Sequence, residues 1–292
     1  MKQKLTWSGI LLGVFFAILG GFSQCATAGD SADEAYLCVE TEEGGVCLKK
    51  GTVTVWEFHP DSPEGKPFIA PMRLPDGRDA ALLRPADHVW HLGIWFSWKY
   101  LNGVNYWEPS DGETVVKSHQ VTIDGASATV RLQMVYRNKK EPETEVLREE
   151  RVIVFGTPDA TGSYTIDFQH KFTACEKDVE LERTPPHAHG GGYAGLAVRL
   201  APFFGKFVTN CANGETEMRT IREKPADWIE YRDPETGNGV RVTILKGTEN
   251  TRFYAQKSPG YCFINPCPVL SGPQTIPAGE TLELEYRIQV GK

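Results

Sequence analysis

The chain has 292 residues, of which 24% are charged, and its formal net charge is −7. An acidic chain without a basic run lacks the surface that binds nucleic acid or anionic membranes, so we expect neither as a partner. Neither a phosphate-binding glycine loop nor a dinucleotide fingerprint occurs. We therefore expect no nucleotide cofactor.

The N-terminus has the pattern of an export signal. Lys2 and Lys4 precede an apolar stretch over residues 9–21, and Ala26-Thr27-Ala28 has the small residues of a cleavage site. We therefore predict that residues 1–28 are a signal peptide and that the mature protein is secreted or periplasmic.

Membrane anchoring is the less favoured interpretation of this segment. The apolar stretch is shorter than the roughly 20 residues that a membrane-spanning helix needs, and no later segment is long enough, so no membrane span is expected. Cys25 could carry a lipid, but Phe22-Ser23-Gln24 in front of it suits lipoprotein processing poorly.

Short apolar segments alternate with period two along the rest of the chain, which predicts half-buried strands. The clearest examples are residues 52–56, 128–132, 164–168, 240–244 and 282–288. Asp124-Gly125 and the segment 236–239 have the composition of hairpin turns. No amphipathic segment is long enough for a helix of three turns. We therefore predict an all-β fold, in which residues 29–292 form a single domain of two large antiparallel sheets, a supersandwich-like β-sandwich.

Six cysteines follow the signal segment, and an even number in an oxidising compartment favours disulfides. The first two flank a Glu-Glu-Gly-Gly turn symmetrically, and the last two flank Asn265-Pro266, while the remaining two pair by elimination. The predicted disulfides are Cys38–Cys47, Cys262–Cys267 and Cys175–Cys211. They represent one of the fifteen connectivities that six cysteines allow.

Candidate chemistry lies in two histidine-containing stretches. In the first, Asp87 can cap a single helical turn, which would place His88 and His91 on one side. In the second, His187 and His189 point to one face if the chain is extended, followed by three glycines that permit close approach of a ligand. We predict that both stretches lie in one pocket.

The four histidines could bind a divalent metal ion or exchange protons. An alternative for the second stretch is an exposed loop with solvated histidines. We assign the catalytic role to His88, His91, His187 and His189, and a metal, if one binds, to the same four side chains.

Aromatic residues cluster beside the first stretch and suit stacking against a sugar ring. The predicted substrate-binding residues are Trp95, Trp98, Asn102, Trp107 and Tyr193. Trp90 lies in the same cluster. For each of these four tryptophans, the alternative is that its side chain fills the core of the sandwich. Glu108 and Glu150 are the predicted carboxylate partners of the histidines.

The segment Asp87-His88-x-x-His91-x-Gly93-Ile94-Trp95-Phe96-x-Trp98 resembles the hallmark of the DUF6807 family, whose members often carry the name "methane oxygenase PmoA". Further matches are Gly191-Gly192-Tyr193-x-Gly195-Leu196-x-x-Arg199, residues 226–231 and residues 278–282. In this chain Trp90 replaces a histidine and Leu92 an arginine of the family segment. The resemblance implies roles for His88 and His91, and also for Arg199 and Glu150.

The resemblance implies an exported bacterial protein with a small-molecule or carbohydrate ligand. Our leading hypothesis is an enzyme that hydrolyses, eliminates or epimerises a glycoside or sugar derivative through histidine and carboxylate acid–base chemistry. The alternatives are a carbohydrate-binding protein without turnover and a metal-dependent oxidase or oxygenase. The oxygenase name alone supplies no mechanism.

Overall fold

The computed structural model describes residues 35–185 and 191–292. Residues Glu34–Lys292 form one compact unit. In the described part of the chain the strands are β1 (Tyr36–Glu40), β2 (Val46–Lys50), β3 (Val53–His59), β4 (Phe68–Met72), β5 (Ile94–Ser97), β6 (Tyr100–Leu101), β7 (Val104–Asn105), β8 (Gly112–Asp124), β9 (Ser127–Asn138), β10 (Glu141–Phe155), β11 (Tyr164–Ala174), β12 (Val179–Glu182), β13 (Gly195–Leu200), β14 (Val208–Cys211), β15 (Trp228–Arg232), β16 (Gly239–Lys246), β17 (Arg252–Ser258), β18 (Tyr261–Cys267), β19 (Gln274–Ile276) and β20 (Thr281–Gly291).

Helical structure in the described residues is limited to a 3₁₀ turn, Pro202–Lys206, and one short α-helix, α1 (Met218–Glu223). This agrees with the absence of a three-turn helical pattern in the sequence. No helix in the described residues has the length and apolarity to cross a bilayer.

The strands form two eight-stranded sheets. The first has the order β1-β2-β3-β4-β5-β13-β18-β17, and the second has the order β14-β15-β16-β20-β11-β10-β9-β8. All the pairings are antiparallel, as predicted. A third, small sheet of order β19-β12-β6-β7 was not predicted. The fold is therefore the predicted all-β sandwich with an additional small sheet.

The period-two segments form strands because one face of each strand is buried. In β20, Leu284, Tyr286, Ile288 and Val290 are buried, and more exposed residues alternate with them. The Asp124-Gly125 turn joins β8 to β9, with Gly125 at a φ of 60°, which glycine adopts readily.

Aromatic side chains connect the two large sheets. Trp56 of β3 stacks on Phe155 of β10 with ring centroids 4.1 Å apart. Phe96 of β5 packs against His170 and Phe172 of β11, at 4.3 and 5.3 Å. Phe96 therefore points towards the second sheet, and since side chains alternate along a strand, Trp95 points away from it.

The predicted disulfides do not form, because all six described cysteines are free. In the first hairpin Cys38 pairs with Leu48 and Cys47 with Val39, so the register is displaced by one residue from the symmetric one that we predicted. A shift of one residue turns the two cysteine side chains to opposite faces of the sheet.

The other two predicted disulfides fail for reasons of distance. Cys262 and Cys267 both lie in β18, so no turn brings them together, and five residues of extended strand span about 17 Å. Cys211 ends β14, whereas Cys175 follows β11 directly. Four inter-strand steps separate β14 from β11 in the second sheet, which is about 19 Å.

Candidate functional site

A cleft of about 840 Å³ lies against the face of the first sheet that points away from the second sheet. Its walls come from the loops after β4 and around β6–β7, the segments on both sides of residues 186–190, and the β17–β18 hairpin. The lining residues are His88, Trp90, Lys99, Tyr100, Asn105, Glu108, Thr184, Pro185, Tyr193, Tyr254, Gln256 and Tyr261.

His88 lies on one wall of the cleft and is held by Asp87. The backbone makes consecutive turns here, with His88 N–H donating to the Pro85 carbonyl and His91 N–H donating to the His88 carbonyl, both at 2.9 Å. The Nδ1 atom of His88 lies 2.8 Å from Oδ2 of Asp87. We predicted that Asp87 caps this turn, but its carboxylate instead bonds the His88 ring and Arg199.

Arg199 connects this loop to β13 of the scaffold. Its side chain is completely buried, and Nη2 donates to Asp87 Oδ2 at 2.9 Å. The guanidinium carbon lies 3.7 Å from the centroid of the Tyr261 ring, within cation–π distance. The sequence assigned Arg199 only by family resemblance, and the structure places it directly behind the Asp87–His88 pair.

His91 is buried, and its ring packs against the ring of His88. Its ring lies 4.6 Å from that of His88, 4.9 Å from that of Trp95 and 5.6 Å from that of Phe263. Burial, with the nearby His88 and Arg199, lowers the pKa of His91 to about 3. His91 is therefore neutral at physiological pH.

Glu108 lies at the opposite wall in a dense hydrogen-bond network. Its Oε2 accepts from the Lys99 ammonium and, at 2.7 Å, from Asn105, and its Oε1 accepts from the Tyr193 hydroxyl at 3.0 Å. Burial raises the pKa of Glu108, but the hydrogen bonds from Lys99 and Asn105 outweigh that effect and lower it below its ordinary value. Glu108 is thus an ionised acceptor.

The remaining cleft surface is rich in tyrosine. Tyr193 packs on Trp107 at 4.9 Å and meets Tyr254 edge-on at 5.9 Å. Gln256 donates to the Tyr254 hydroxyl at 2.6 Å. Flat rings with polar edges, placed beside amide, ammonium and carboxylate groups, match what a saccharide requires, since a sugar has both an apolar face and many hydroxyls.

The predicted tryptophan platform needs correction. Trp95, Trp98 and Trp107 are each no more than 1% exposed, so none offers a face to a ligand. Trp98 packs on Phe96 and Phe172 in the sandwich core, and Trp107 lies under Tyr193. Among the tryptophans considered, Trp90 lines the cleft.

Two other predicted residues lie outside the cleft. Glu150 is on β10 of the second sheet, with a side chain 65% exposed and paired with Lys171 at 3.6 Å. Asn102 is exposed in the turn between β6 and β7, where its side chain bonds the backbone of Asp178 and Glu180. Asn102 thus holds the small sheet together.

Several cleft residues were missed by sequence reasoning. Lys99, Tyr254, Gln256 and Tyr261 carry no motif, and three of them come from a hairpin far along the chain. The period-two pattern of β17 is the one feature of the sequence that places Tyr254 and Gln256 on the same face of that strand. Which face meets a cleft is decided by the neighbouring strands.

His187 and His189 lie outside the described residues. Thr184 and Pro185 before that segment and Tyr193 after it line the same cleft as His88. Within residues 35–185 and 191–292, no group of three or more histidine, cysteine or acidic side chains is arranged to hold a metal ion. Gly192 has a φ of 77°, and a Cβ there would lie 2.5 Å from Leu270 Cδ1.

The fold and cleft define an all-β sandwich protein with an aromatic and polar cleft on its outer face. The chain belongs to DUF6807, described as a family of unknown function, whose model matches residues 45–292. This confirms the resemblance found in the sequence. No curated protein has a sequence that matches the chain.

Solved structures share only a distant likeness. The α-galactosidase from Lactobacillus brevis is 10% identical, with 87% of this chain and 39% of that chain covered and a TM-score of 0.44. The Slr1438 protein from Synechocystis sp. PCC 6803 is 10% identical, with coverage of 89% and 93% and a TM-score of 0.41. The GH36 α-galactosidase AgaA from Geobacillus stearothermophilus is 11% identical, with coverage of 89% and 39% and a TM-score of 0.38. The chain thus spans about two fifths of the length of these two α-galactosidases.

Proposed function

We propose that this protein is an exported carbohydrate-active enzyme and that His88 transfers a proton to or from a sugar bound in the cleft. The observation that carries the proposal is the orientation of His88. Its Nδ1 is bonded to Asp87, whereas no described residue bonds its Nε2, and the ring lines the cleft. A histidine fixed through one nitrogen presents the other to a reacting group.

Arg199 supports this role because it fixes the carboxylate that fixes the ring. Asp87 accepts from a buried guanidinium on a central strand, so the loop that carries His88 has a rigid anchor. Burial raises the pKa of Asp87, but the bonds from His88 and Arg199 outweigh that effect and keep it below its ordinary value. Asp87 is therefore an ionised partner that orients the imidazole.

Glu108 in the cleft wall and Asp87 behind His88 favour elimination or epimerisation over hydrolysis. Hydrolysis by paired carboxylates needs one of them as a carboxylic acid with a raised pKa. Glu108 and Asp87 both have lowered pKa values. In either reaction His88 takes the proton of a C–H bond beside a carbonyl or carboxylate of the sugar, and the electron pair of that bond forms an enolate. In elimination this pair then forms a C=C bond as the substituent on the next carbon leaves with a proton from the imidazolium or from water, and in epimerisation the carbon takes a proton from water on its other face. The Lys99 ammonium, paired with Glu108, lies in the same cleft.

A carbohydrate-binding protein without turnover is the second candidate. It is favoured by the Glu108 network, in which Lys99, Asn105 and Tyr193 already satisfy the carboxylate without a ligand. Such a preorganised polar wall suits recognition as well as catalysis.

The His88→Ala variant separates the two candidates once a panel of saccharides has yielded a ligand for the wild type. We expect the variant to lose turnover at least about a hundredfold and to keep most of its affinity for the ligand, as measured by calorimetry. His119→Ala is the matched control, because His119 is exposed and bonds only the Gly44 carbonyl. If His88→Ala weakens binding and no saccharide is converted by the wild type, the protein is a binder.

A metal-dependent oxidase or oxygenase is the third hypothesis. Its ligand set would draw on His88, His91, His187 and His189, of which the last two lie outside the described residues. Elemental analysis of the purified protein after dialysis against zinc and copper tests it, and stoichiometric metal that is lost in His88→Ala and His187→Ala would replace our proposal. N-terminal sequencing of the secreted protein tests export, with Gly29 expected as the first residue.

A further inference from the structure

Tyr261 lies directly beside His88 in the wall of the cleft. The centroids of the two rings are 5.4 Å apart, and the rings meet at 61°. Two other cleft tyrosines, Tyr193 and Tyr254, use their hydroxyls in bonds to neighbouring cleft side chains. Tyr261 is half-buried, so part of its side chain is exposed in the wall. A ligand that touches the His88 ring therefore also meets Tyr261.

Arg199 fixes the spacing of these two rings. Its Nη2 donates to Asp87, which holds His88. The same nitrogen lies 3.5 Å from the Gly260 carbonyl oxygen, and the guanidinium carbon lies 3.7 Å from the centroid of the Tyr261 ring. One buried side chain therefore holds the imidazole and the phenol in a single arrangement.

The β17–β18 hairpin places Tyr261 at the first position of its strand. Ser258 pairs with Tyr261, so Pro259 and Gly260 form a two-residue turn. The proline ring fixes its own φ, and Gly260 has a φ of 84°, which glycine adopts readily. The turn has little conformational freedom, so the phenol ring is held at a fixed place in the cleft wall.

The Tyr261 hydroxyl is protonated at neutral pH. Burial raises the pKa of Tyr261 to about 12, although the positive charge of Arg199 opposes the shift. A phenol that gives up its proton here leaves a phenolate beside a guanidinium, which stabilises the negative charge. Tyr261 therefore suits the role of an acid, and His88, bonded through Nδ1 to Asp87, suits that of a base.

The contact between the two rings means that both act on the same face of a bound sugar. Rings with centroids 5.4 Å apart touch each other. A sugar ring between them would need about 7 Å, because carbon atoms of adjacent groups stay about 3.5 Å apart. Epimerisation by two such groups requires them on opposite faces of the sugar, whereas elimination can use both on one face. The arrangement therefore favours elimination.

We propose that Tyr261 is the proton donor of a syn elimination, in which His88 and Tyr261 act from one face on neighbouring carbons of a uronic acid unit. The inference rests on the proposed function and names its reaction, its acid and its substrate class. A uronic acid is chosen because its carboxylate makes the hydrogen on C5 acidic, while the neighbouring C4 carries the glycosidic oxygen.

The step balances without a co-reactant. His88 takes the proton on C5, and the electron pair of that C–H bond passes through the enolate into a C4=C5 double bond. The C4–O bond breaks, its electron pair goes to the glycosidic oxygen, and this oxygen takes the proton of Tyr261 in place of one from the imidazolium or water. The imidazolium then returns its proton to the phenolate through water, which restores both side chains.

The stereochemistry of the sugar decides which uronic acids fit. In 4-linked D-glucuronic and D-mannuronic units, the hydrogen on C5 and the oxygen on C4 lie on the same face of the ring. In D-galacturonic and L-guluronic units they lie on opposite faces. We therefore expect the first two as substrates and not the other two.

The test measures the ultraviolet absorbance of the conjugated double bond formed from 4-linked polyglucuronate, polymannuronate, polygalacturonate and polyguluronate. The proteins are the wild type, Tyr261→Phe, His88→Ala and Tyr36→Phe. Tyr36 is the matched control, because it is likewise half-buried but lies on β1 and does not line the cleft. Tyr261→Phe removes one hydroxyl and keeps the ring that packs on Arg199, so the variant should fold.

We expect the wild type to convert polyglucuronate or polymannuronate. Tyr261→Phe should lower kcat at least about a hundredfold with little change in KM, and Tyr36→Phe should change neither. On a glucuronic acid that carries 4-nitrophenol on C4, Tyr261→Phe should lose less than about tenfold, because a nitrophenolate leaves without a proton. His88→Ala should stay inactive on that substrate.

Three results would show that Tyr261 is not the acid while the proposed function stands. They are elimination that is as fast on polygalacturonate or polyguluronate, near wild-type turnover in Tyr261→Phe, and an equal loss in that variant on the nitrophenol substrate. The same conclusion follows if the wild type converts a saccharide without forming a double bond. If the wild type converts no saccharide at all, both the elimination and the proposed function are wrong.

Discussion

The guanidinium of Arg199 and the carboxylate of Asp87 form the contact that joins the first sheet to the loop carrying His88. Nη2 of Arg199 lies 2.9 and 3.2 Å from the two carboxylate oxygens. Arg199 is fully buried, whereas the Asp87 side chain is 47% exposed. The pair therefore anchors a solvent-facing loop to a rigid interior strand.

Asp87→Asn should lower the free energy of unfolding by about 1–3 kcal/mol, because it leaves a buried guanidinium without its anionic partner. The half-exposed position of Asp87 keeps the loss below that of a fully buried pair. In the Arg199→Met background the same substitution should be nearly neutral. Urea unfolding of the four proteins of this double-mutant cycle measures the coupling, and additive losses would contradict the role of the pair.

Glu149→Gln should destabilise the protein by about 3–5 kcal/mol, since Glu149 is the acceptor of a buried cluster. Its carboxylate accepts from Tyr136, from Arg151 at 2.6 Å and from His170 at 2.8 Å. Glu150→Gln is the control, because Glu150 is the next residue in the strand and its side chain is exposed. This substitution should change the free energy of unfolding by less than about 0.5 kcal/mol. The denaturant midpoints of the two variants measure the difference in stability. Similar losses in both variants would contradict the structural role of Glu149.

Acid should destabilise the fold between pH 6.5 and pH 4 through His170. Burial lowers the pKa of His170 from 6.5 to about 4, although the hydrogen bond to Glu149 opposes the shift. The folded state thus disfavours the protonated ring. The neutral His170 ring therefore contributes its full share to the free energy of unfolding above pH 6.5, and about 3 kcal/mol of that free energy is lost as the pH falls towards 4. His170→Gln should flatten the dependence of the urea midpoint over that range, and an unchanged slope would count against this assignment.

The six cysteines from Cys38 to Cys267 should react as free thiols. After denaturation without reductant, alkylation and mass spectrometry should find six labelled cysteines from Cys38 to Cys267. The native protein should label slowly, because burial raises the pKa of Cys267 to about 12 and that of Cys38 to about 11. Detection of the Cys38–Cys47 disulfide would show that the hairpin adopts the symmetric register instead.

Local pattern accounts for the parts of the fold that the sequence predicted. Alternation in residues 282–288 predicts a strand, and the structure has β20 there. Asp124-Gly125 predicts a hairpin, which joins β8 to β9. Each of these features depends on the residues of one short segment, and for that reason no knowledge of the remaining chain is needed.

The candidate site was predicted only in part. His88, Glu108 and Tyr193 line one cleft. Glu150 was a wrong choice, and its neighbour Glu149 is the buried carboxylate. Adjacent residues of a strand lie on opposite faces, so the assignment depends on which face the sandwich buries.

The sequence by itself determined the strands, their turns and the histidine motif, since period-two alternation and turn chemistry act over a few residues. Only the tertiary structure decided that Trp95 and Trp98 are buried, that Cys38 and Cys47 face apart, and that Tyr261 meets Arg199. These outcomes depend on register and on contacts between strands far apart in the chain. Packing of whole sheets, which no local pattern encodes, sets both.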